Sequence, residues 1–186
     1  MASGPPIFAA VMMRRMGIAF TVDPPLTDDL RAGIVRLWAD VTNAGGAVGF
    51  VAPVTAEEVR PVAEAAFAGV EAGHDRLVVG FDGEEPAALL FVVDNRFPLK
   101  DHWRVLKRVM VRPGSQGLGL GAALMAEAAA VGREMGLEGL QVTVRGGQGI
   151  EGFYRRIGYR EVGRVPGALR VKPGDDRDEV YMWLDL

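Results

Sequence analysis

Apolar residues recur along this chain with two different spacings, and each change of spacing marks the edge of an element. Ile18 to Val22 alternates like a short strand, and Pro24 and Pro25 then break the backbone. Thr27, followed by Asp28 and Asp29, supplies a cap and dipole-complementing carboxylates for a helix. Leu30, Ile34, Leu37, Trp38 and Val41 fall on one face of that helix, which should end near Asn43. A second helix is expected from Thr55, whose capping box closes with Glu58, to Gly73, with Val59, Ala63, Ala66, Phe67 and Val70 inward. Pro61 should kink or divide it. Strands follow at Arg76 to Phe81 and Ala87 to Asp94, joined through the hairpin signal Asp82-Gly83. A third, Trp103 to Val111, alternates Val105, Lys107, Val109 and Val111 with Leu106, Arg108 and Met110. Gly119 to Met135 carries the helical stripe Leu120, Leu124, Ala128, Val131, with Gly136 as its stop. A strand at Leu140 to Val144 and a short helix at Ile150 to Arg156 come next. The last strands, Arg160 to Val165 and Glu179 to Leu186, are separated by Pro166-Gly167 and Pro173-Gly174-Asp175-Asp176. The order β-α-α-β-β-β-α-β-α-β-β predicts an α/β fold, a mixed sheet with helices on its faces.

Composition narrows the function more than the fold. The length of 186 residues and an apolar fraction of 49% predict one domain over residues 17–186. Residues 1–16, with Met12, Met13 and Met16 as alternative initiators, are expected to form a disordered or mis-assigned arm. The absence of cysteine excludes disulfides, thiolate metal sites and a cysteine nucleophile. His74 and His102 are the only histidines and lack metal-ligand spacing, so no metal is expected. With 21 basic against 24 acidic residues, nucleic acid is not an expected partner. No apolar run reaches the ~18 residues of a membrane span, and Arg14 and Arg15 follow the apolar run Ile7 to Met13 rather than precede it. The expected setting is cytoplasmic, with no membrane partner. The basic residues nevertheless cluster, as Arg104, Lys107, Arg108 and Arg112 and as Arg155, Arg156 and Arg160, either to hold a small polyanion or as solvated faces.

Chemistry concentrates between the third central strand and its helix, in Arg112-Pro113-Gly114-Ser115-Gln116-Gly117-Leu118-Gly119-Leu120-Gly121-Ala122. Alternating glycines at a helix N-terminus leave consecutive N–H groups free to point at phosphate oxygens. A P-loop is excluded, because Leu120 stands where its lysine must be. The dinucleotide frame G-x-G-x-x-A is met by Gly117, Gly119 and Ala122. Its ribose-binding acid is missing, since Glu138 precedes the next strand and Arg145 follows it. The frame Gln116-x-x-Gly119-x-Gly121 resembles the [Gln/Arg]-x-x-Gly-x-[Gly/Ala] pyrophosphate loop of the GNAT superfamily of N-acetyltransferases. Downstream, Phe153-Tyr154-Arg155-Arg156-Ile157-Gly158-Tyr159 resembles that superfamily's Phe-Tyr-x-x-Leu-Gly-Phe segment. The resemblance covers Leu106 to Tyr159.

The resemblance implies a mostly antiparallel sheet splayed at its centre, with acetyl-coenzyme A as donor. It implies that Gln116, Gly117, Leu118, Gly119, Leu120, Gly121 and Ala122 hold the pyrophosphate. Val109, Met110 and Val111 would hold the pantetheine arm, with Phe153 and Tyr154 beside it. Tyr154 matches the family tyrosine that protonates the departing thiolate; packing beside the sulfur is its other reading. Reference pKa values of ~10 and ~8.5 make that proton transfer uphill by about 2 kcal/mol. Gly147 stands where the family often has an asparagine, and Gln148 is the expected substitute. For the acceptor, the resemblance points to Trp38, Asn43, Gly45, Gly46 and Phe50, and to the Arg170 to Asp178 loop, where Asp175 and Asp176 would attract an amine. The glycine-rich stretch Asn43 to Phe50 reads equally as a plain helix connector. Glu151, Asp94, Asp101 and His102 are candidates for a base, and none is selected. The expected acceptor is a small-molecule amine, with a protein amine as the alternative. A non-catalytic acyl-coenzyme A sensor and a dinucleotide binder stay open as other classes. A homodimer is expected through pairing of the strand that ends at Leu186.

Overall fold

Residues 17–186 are described by this computed structural model; the arm expected over residues 1–16 lies outside the described residues. The elements are β1 (Ile18–Val22), α1 (Asp28–Asn43), α2 (Ala56–Glu71), β2 (Arg76–Asp82), β3 (Glu85–Val93), β4 (Trp103–Val111), α3 (Leu120–Glu134), β5 (Gly139–Arg145), α4 (Ile150–Arg156), β6 (Arg160–Lys172) and β7 (Asp175–Asp185). The strands form one sheet in the order β1-β2-β3-β4-β5-β7-β6. Every pair is antiparallel except β4 with β5.

The two faces of the sheet carry separate cores. On one, α1 and α2 bury Ile34, Trp38, Val59 and Phe67 against Leu77, Leu89, Phe91 and Met110. On the other, α3 buries Leu120, Leu124 and Ala128 against Val78, Leu90, Leu106, Leu140 and Val180. Each fully buried leucine contributes about 2 kcal/mol, so both helical stripes are fastened far more by packing than by propensity. The helix starts follow local chemistry. Thr27 Oγ1 accepts the Leu30 N–H at 3.3 Å, and Thr55 and Glu58 complete their capping box.

Three sequence expectations change. Helix α2 runs undivided through Pro61. The carbonyl that loses its partner there belongs to Glu57, and both residues are solvent-exposed, so water can replace the lost bond. In β4 the strict alternation fails. The β3–β4 register shifts by one residue between Leu89 and Phe91, and Arg108 adopts a left-handed φ of 56°. Past that bulge the faces exchange: Val109 and Val111 pack with Leu106 on the α3 side, while Met110 enters the α1–α2 core. The third change is at the end of the chain, where β6 and β7 form one long hairpin turning at Pro173-Gly174. Pro166-Gly167 falls inside β6, where the register slips between Val165 and Leu169 and absorbs it as an irregularity of the ladder. β7 is flanked on both sides, by β5 and β6, so it has no free edge through which two copies could pair.

Candidate active site

The parallel pair β4–β5 holds only from Trp103 to Leu106 against Gly139 to Val142. Beyond that point Lys107 to Val111 and Thr143 to Arg145 have no common register, and a cavity of about 1010 Å³ opens between them. The bulge at Arg108 sits where the strands part. A strand that loses its neighbour leaves peptide groups facing the gap, and an amide-rich ligand can satisfy them. Val109 and Val111 line this gap, whereas the Met110 side chain is buried on the α1–α2 face.

The glycine loop closes one end of the cavity. Gly117 and Gly119 have φ of 77° and 83°, and a Cβ on either would meet nothing within 4 Å. The first helical bond of α3 is the Ala123 N–H to the Gly119 carbonyl, at 3.1 Å. Among the described residues the amides of Gly117 to Ala122 have no backbone partner, which makes a row of donors at a helix N-terminus. Gln116, Gly117, Gly119, Gly121 and Ala122 border the cavity. Leu118 is partly exposed and Leu120 is buried in the α3 core. The Gln116 side chain donates to the Val111 carbonyl at 3.3 Å, tying the loop back to the strand. These residues fit a coenzyme A diphosphate, since the donors are unpaired and the space before them is open.

Tyr154, on α4, borders the same cavity though only 5% exposed. Phe153 packs edge-on against it at 5.1 Å, and Tyr159 at 5.6 Å. Burial pushes the Tyr154 phenol well above its ordinary range, so it keeps its proton throughout the physiological range. The buried phenol is therefore a weaker acid than a free one, and its transfer to sulfur is more uphill than the reference values imply. Gln148 borders the cavity beside Gly147, whose φ is 82°. A Cβ at Gly147 would lie 2.8 Å from Arg177 Nη1, so the arginine of the β6–β7 hairpin fills the space an asparagine would take.

On the α1–α2 side, Gly45, Gly46 and Val48 form a wall of the cavity. Trp38 lies behind it, fully buried, with its indole N–H donating to the Val48 carbonyl at 2.9 Å and Phe50 edge-on at 6.1 Å. Asn43 brackets Val54, donating to its carbonyl and accepting its N–H, both at 2.9 Å. Trp38, Asn43 and Phe50 thus shape the wall from behind. Asp175 and Asp176 are held by Arg177 and Arg170, so they are not free to attract an amine.

The two basic clusters divide by pairing. Arg104, Arg112, Arg155 and Arg160 pair with Asp94, Asp82, Glu161 and Asp185. Lys107, Arg108 and Arg156 border the cavity instead. Glu151, Asp94, Asp101 and His102 do not border it. The carboxylate that does is Glu179, which sits opposite Arg145 in the β5–β7 ladder and accepts the Tyr181 hydroxyl at 2.7 Å. Sequence reasoning passed over Glu179, because only the long-range register of β7 brings it to the gap. Among the described residues no cluster of three or more metal-ligating side chains occurs, and no helix is long and apolar enough to cross a membrane.

The family model described as "Acetyltransferase (GNAT) family" matches residues 32–159. Among solved structures, the chain resembles a protein from Acinetobacter baylyi assigned as an acetyltransferase, with TM-score 0.74, 18% identity, and 91% and 94% of the two chains covered. It also resembles a ribosomal-protein-alanine N-acetyltransferase from Brucella melitensis, with TM-score 0.73, 18% identity and coverage of 91% and 99%. A third is a Salmonella typhimurium protein, assigned as an acetyltransferase and solved with its cofactor acetyl-CoA: TM-score 0.71, 18% identity, coverage of 90% and 94%.

Proposed function

We propose, from the premise that this chain belongs to the acetyltransferase (GNAT) family, that it moves the acetyl group of acetyl-coenzyme A directly to the amine of a small molecule while both are bound. The observation that carries this reading is the parting of β4 from β5 after Leu106 and Val142. It opens a cavity bounded at one end by unpaired loop amides and along its wall by a buried phenol. In this reading the amides of Gly117 to Ala122 receive the donor's diphosphate, each charge at the helix end contributing about 0.3–2 kcal/mol. The open side of β4 around Val109 and Val111 orients the pantetheine amides. Bound acetyl-coenzyme A supplies an activated thioester. Tyr154, protonated at working pH, gives its proton to the departing sulfur.

The test is thiol release from acetyl-coenzyme A across a panel of small amines, with a peptide N-terminus in the same panel. Amine-dependent release that falls about tenfold or more in Tyr154→Phe, with coenzyme A affinity retained, supports the reading. Tight donor binding without turnover of any amine would instead identify an acyl-coenzyme A sensor. Turnover of the peptide alone would move the acceptor to protein, the kind of acceptor named for the Brucella relative. Displacement of coenzyme A by NAD would favour a dinucleotide site.

A further inference from the structure

Arg108 is a cation in the cavity wall with no hydrogen-bond or ion-pair partner among the described residues. Its guanidinium carbon lies 5.0 Å from the centre of the Trp38 ring, on the α1 side of the sheet. The phosphate cradle belongs to α3, which packs on the opposite face. Arg108 is therefore turned away from the place where the donor's charge would be held.

The position is built rather than incidental. A left-handed backbone aims the side chain out of the β4 bulge. Trp38 supports it from beneath and is itself fixed by the Val48 carbonyl. Gly49, with φ of 102°, leaves the space that the guanidinium fills, and a Cβ there would run into it. Burial lowers the proton affinity of Arg108, and no neighbouring carboxylate offsets this. A half-buried guanidinium without a counter-ion is costly, and a planar anion offering two oxygens relieves that cost best. Glu179 stands on the same face: its neighbours Val180 and Met182 point into the α3 core, so alternation turns Glu179 the other way. The wall thus presents Arg108 and Glu179 to whatever enters from the α1 side, with Arg145 opposite Glu179 in the β5–β7 ladder and Lys107 next to Arg108 also bordering the cavity.

We propose that Arg108 is the receptor for a carboxylate on the acceptor, so that the substrates are small amines carrying their own acid group, with Glu179 facing the ammonium end. This rests on the acetyl-transfer reading and names its acceptor class. The planar guanidinium, stacked on Trp38, matches the two coplanar oxygens of a carboxylate, and a phosphate ester is the competing anion that the test separates.

The experiment measures kcat/KM of the full chain with L-alanine, L-methionine and L-phenylalanine against their carboxamides and with phosphoethanolamine, in wild type, Arg108→Gln and Arg108→Lys. Because each substrate is compared with itself across variants, differences in amine basicity cancel. The loss in Arg108→Gln is expected to be about thirtyfold greater for the acids than for the amides, with Arg108→Lys recovering part of it. Equal losses for acids and amides, or a selective loss for phosphoethanolamine, would overturn the proposal. Calorimetric titration of the coenzyme A-loaded protein with the same acids and amides gives a readout free of turnover. Arg108-dependent binding of acids without acetylation would leave the carboxylate receptor standing and sink the acetyl-transfer reading. Acetylation blind to the carboxylate would do the reverse.

Discussion

The two ends of the cavity are built by different means. The end proposed for the donor, from Gln116 to Ala122, is nearly all backbone: glycines with positive φ and a row of unsatisfied amides. The end proposed for the acceptor is made of side chains gathered from distant segments: Arg108 of β4 against Trp38 of α1, Glu179 of β7, and the Gly45–Gly46 wall that Asn43 and Val54 help to fix. Backbone chemistry leaves a local signature in sequence, and side-chain convergence does not. The donor should accordingly be a shared property of such folds, and the acceptor an individual one.

The largest test of this division is Gly119→Val. A β-branched residue forced to φ of 83° costs of order 1–3 kcal/mol, so the donor's KM should rise about 10–100-fold while acceptor discrimination is kept. Loss of both together would mean the two ends are not separable. Next in size is the pH dependence. Tyr154 stays protonated because burial raises its pKa, so the donor end contributes no ionisation below about pH 10. The rate with saturating donor should climb about tenfold per pH unit until the acceptor amine is neutral, then level off. A fall between pH 8 and 10, in the range of ~8–10, would point to a titrating acid and break the assignment of that phenol. Gly49→Ala acts on the other end: its Cβ displaces the Arg108 guanidinium, raising acceptor KM about fivefold with coenzyme A affinity unaltered by calorimetry. Smallest is Gly121→Ala, since a Cβ there would rest 3.5 Å from Phe153, an ordinary contact; donor KM should move by about twofold or less.

The same contrast explains what the sequence disclosed. Elements that depend on caps and periodicity, such as α1 with Thr27 and α2 with Thr55, start where expected. The glycine loop was legible from its spacing taken together with the Phe153 to Tyr159 segment downstream. The exchange of faces in β4 was invisible, because a one-residue bulge arises from pairing with β3 and leaves no mark in the residues of β4 itself. The span of the last hairpin was also hidden: Pro166-Gly167 reads as a break, and only pairing across to β7 carries the strand through it. Arg108 was legible as one basic residue among several. What separates it from Arg104 and Arg112 is the location of Asp94 and Asp82, which is a tertiary fact.

β6 is the outermost strand on its side of the sheet, long and mostly exposed, with Val162 and Val165 open to water. Such a margin invites stacking by other chains and, in time, aggregation. Here Arg164 and Arg170 are clasped to Asp178 and Asp176, and three register slips bend the ladder, so a passing strand finds neither a flat surface nor an evenly spaced row of donors. The molecule thereby keeps an opening in the middle of its sheet without acquiring a sticky rim.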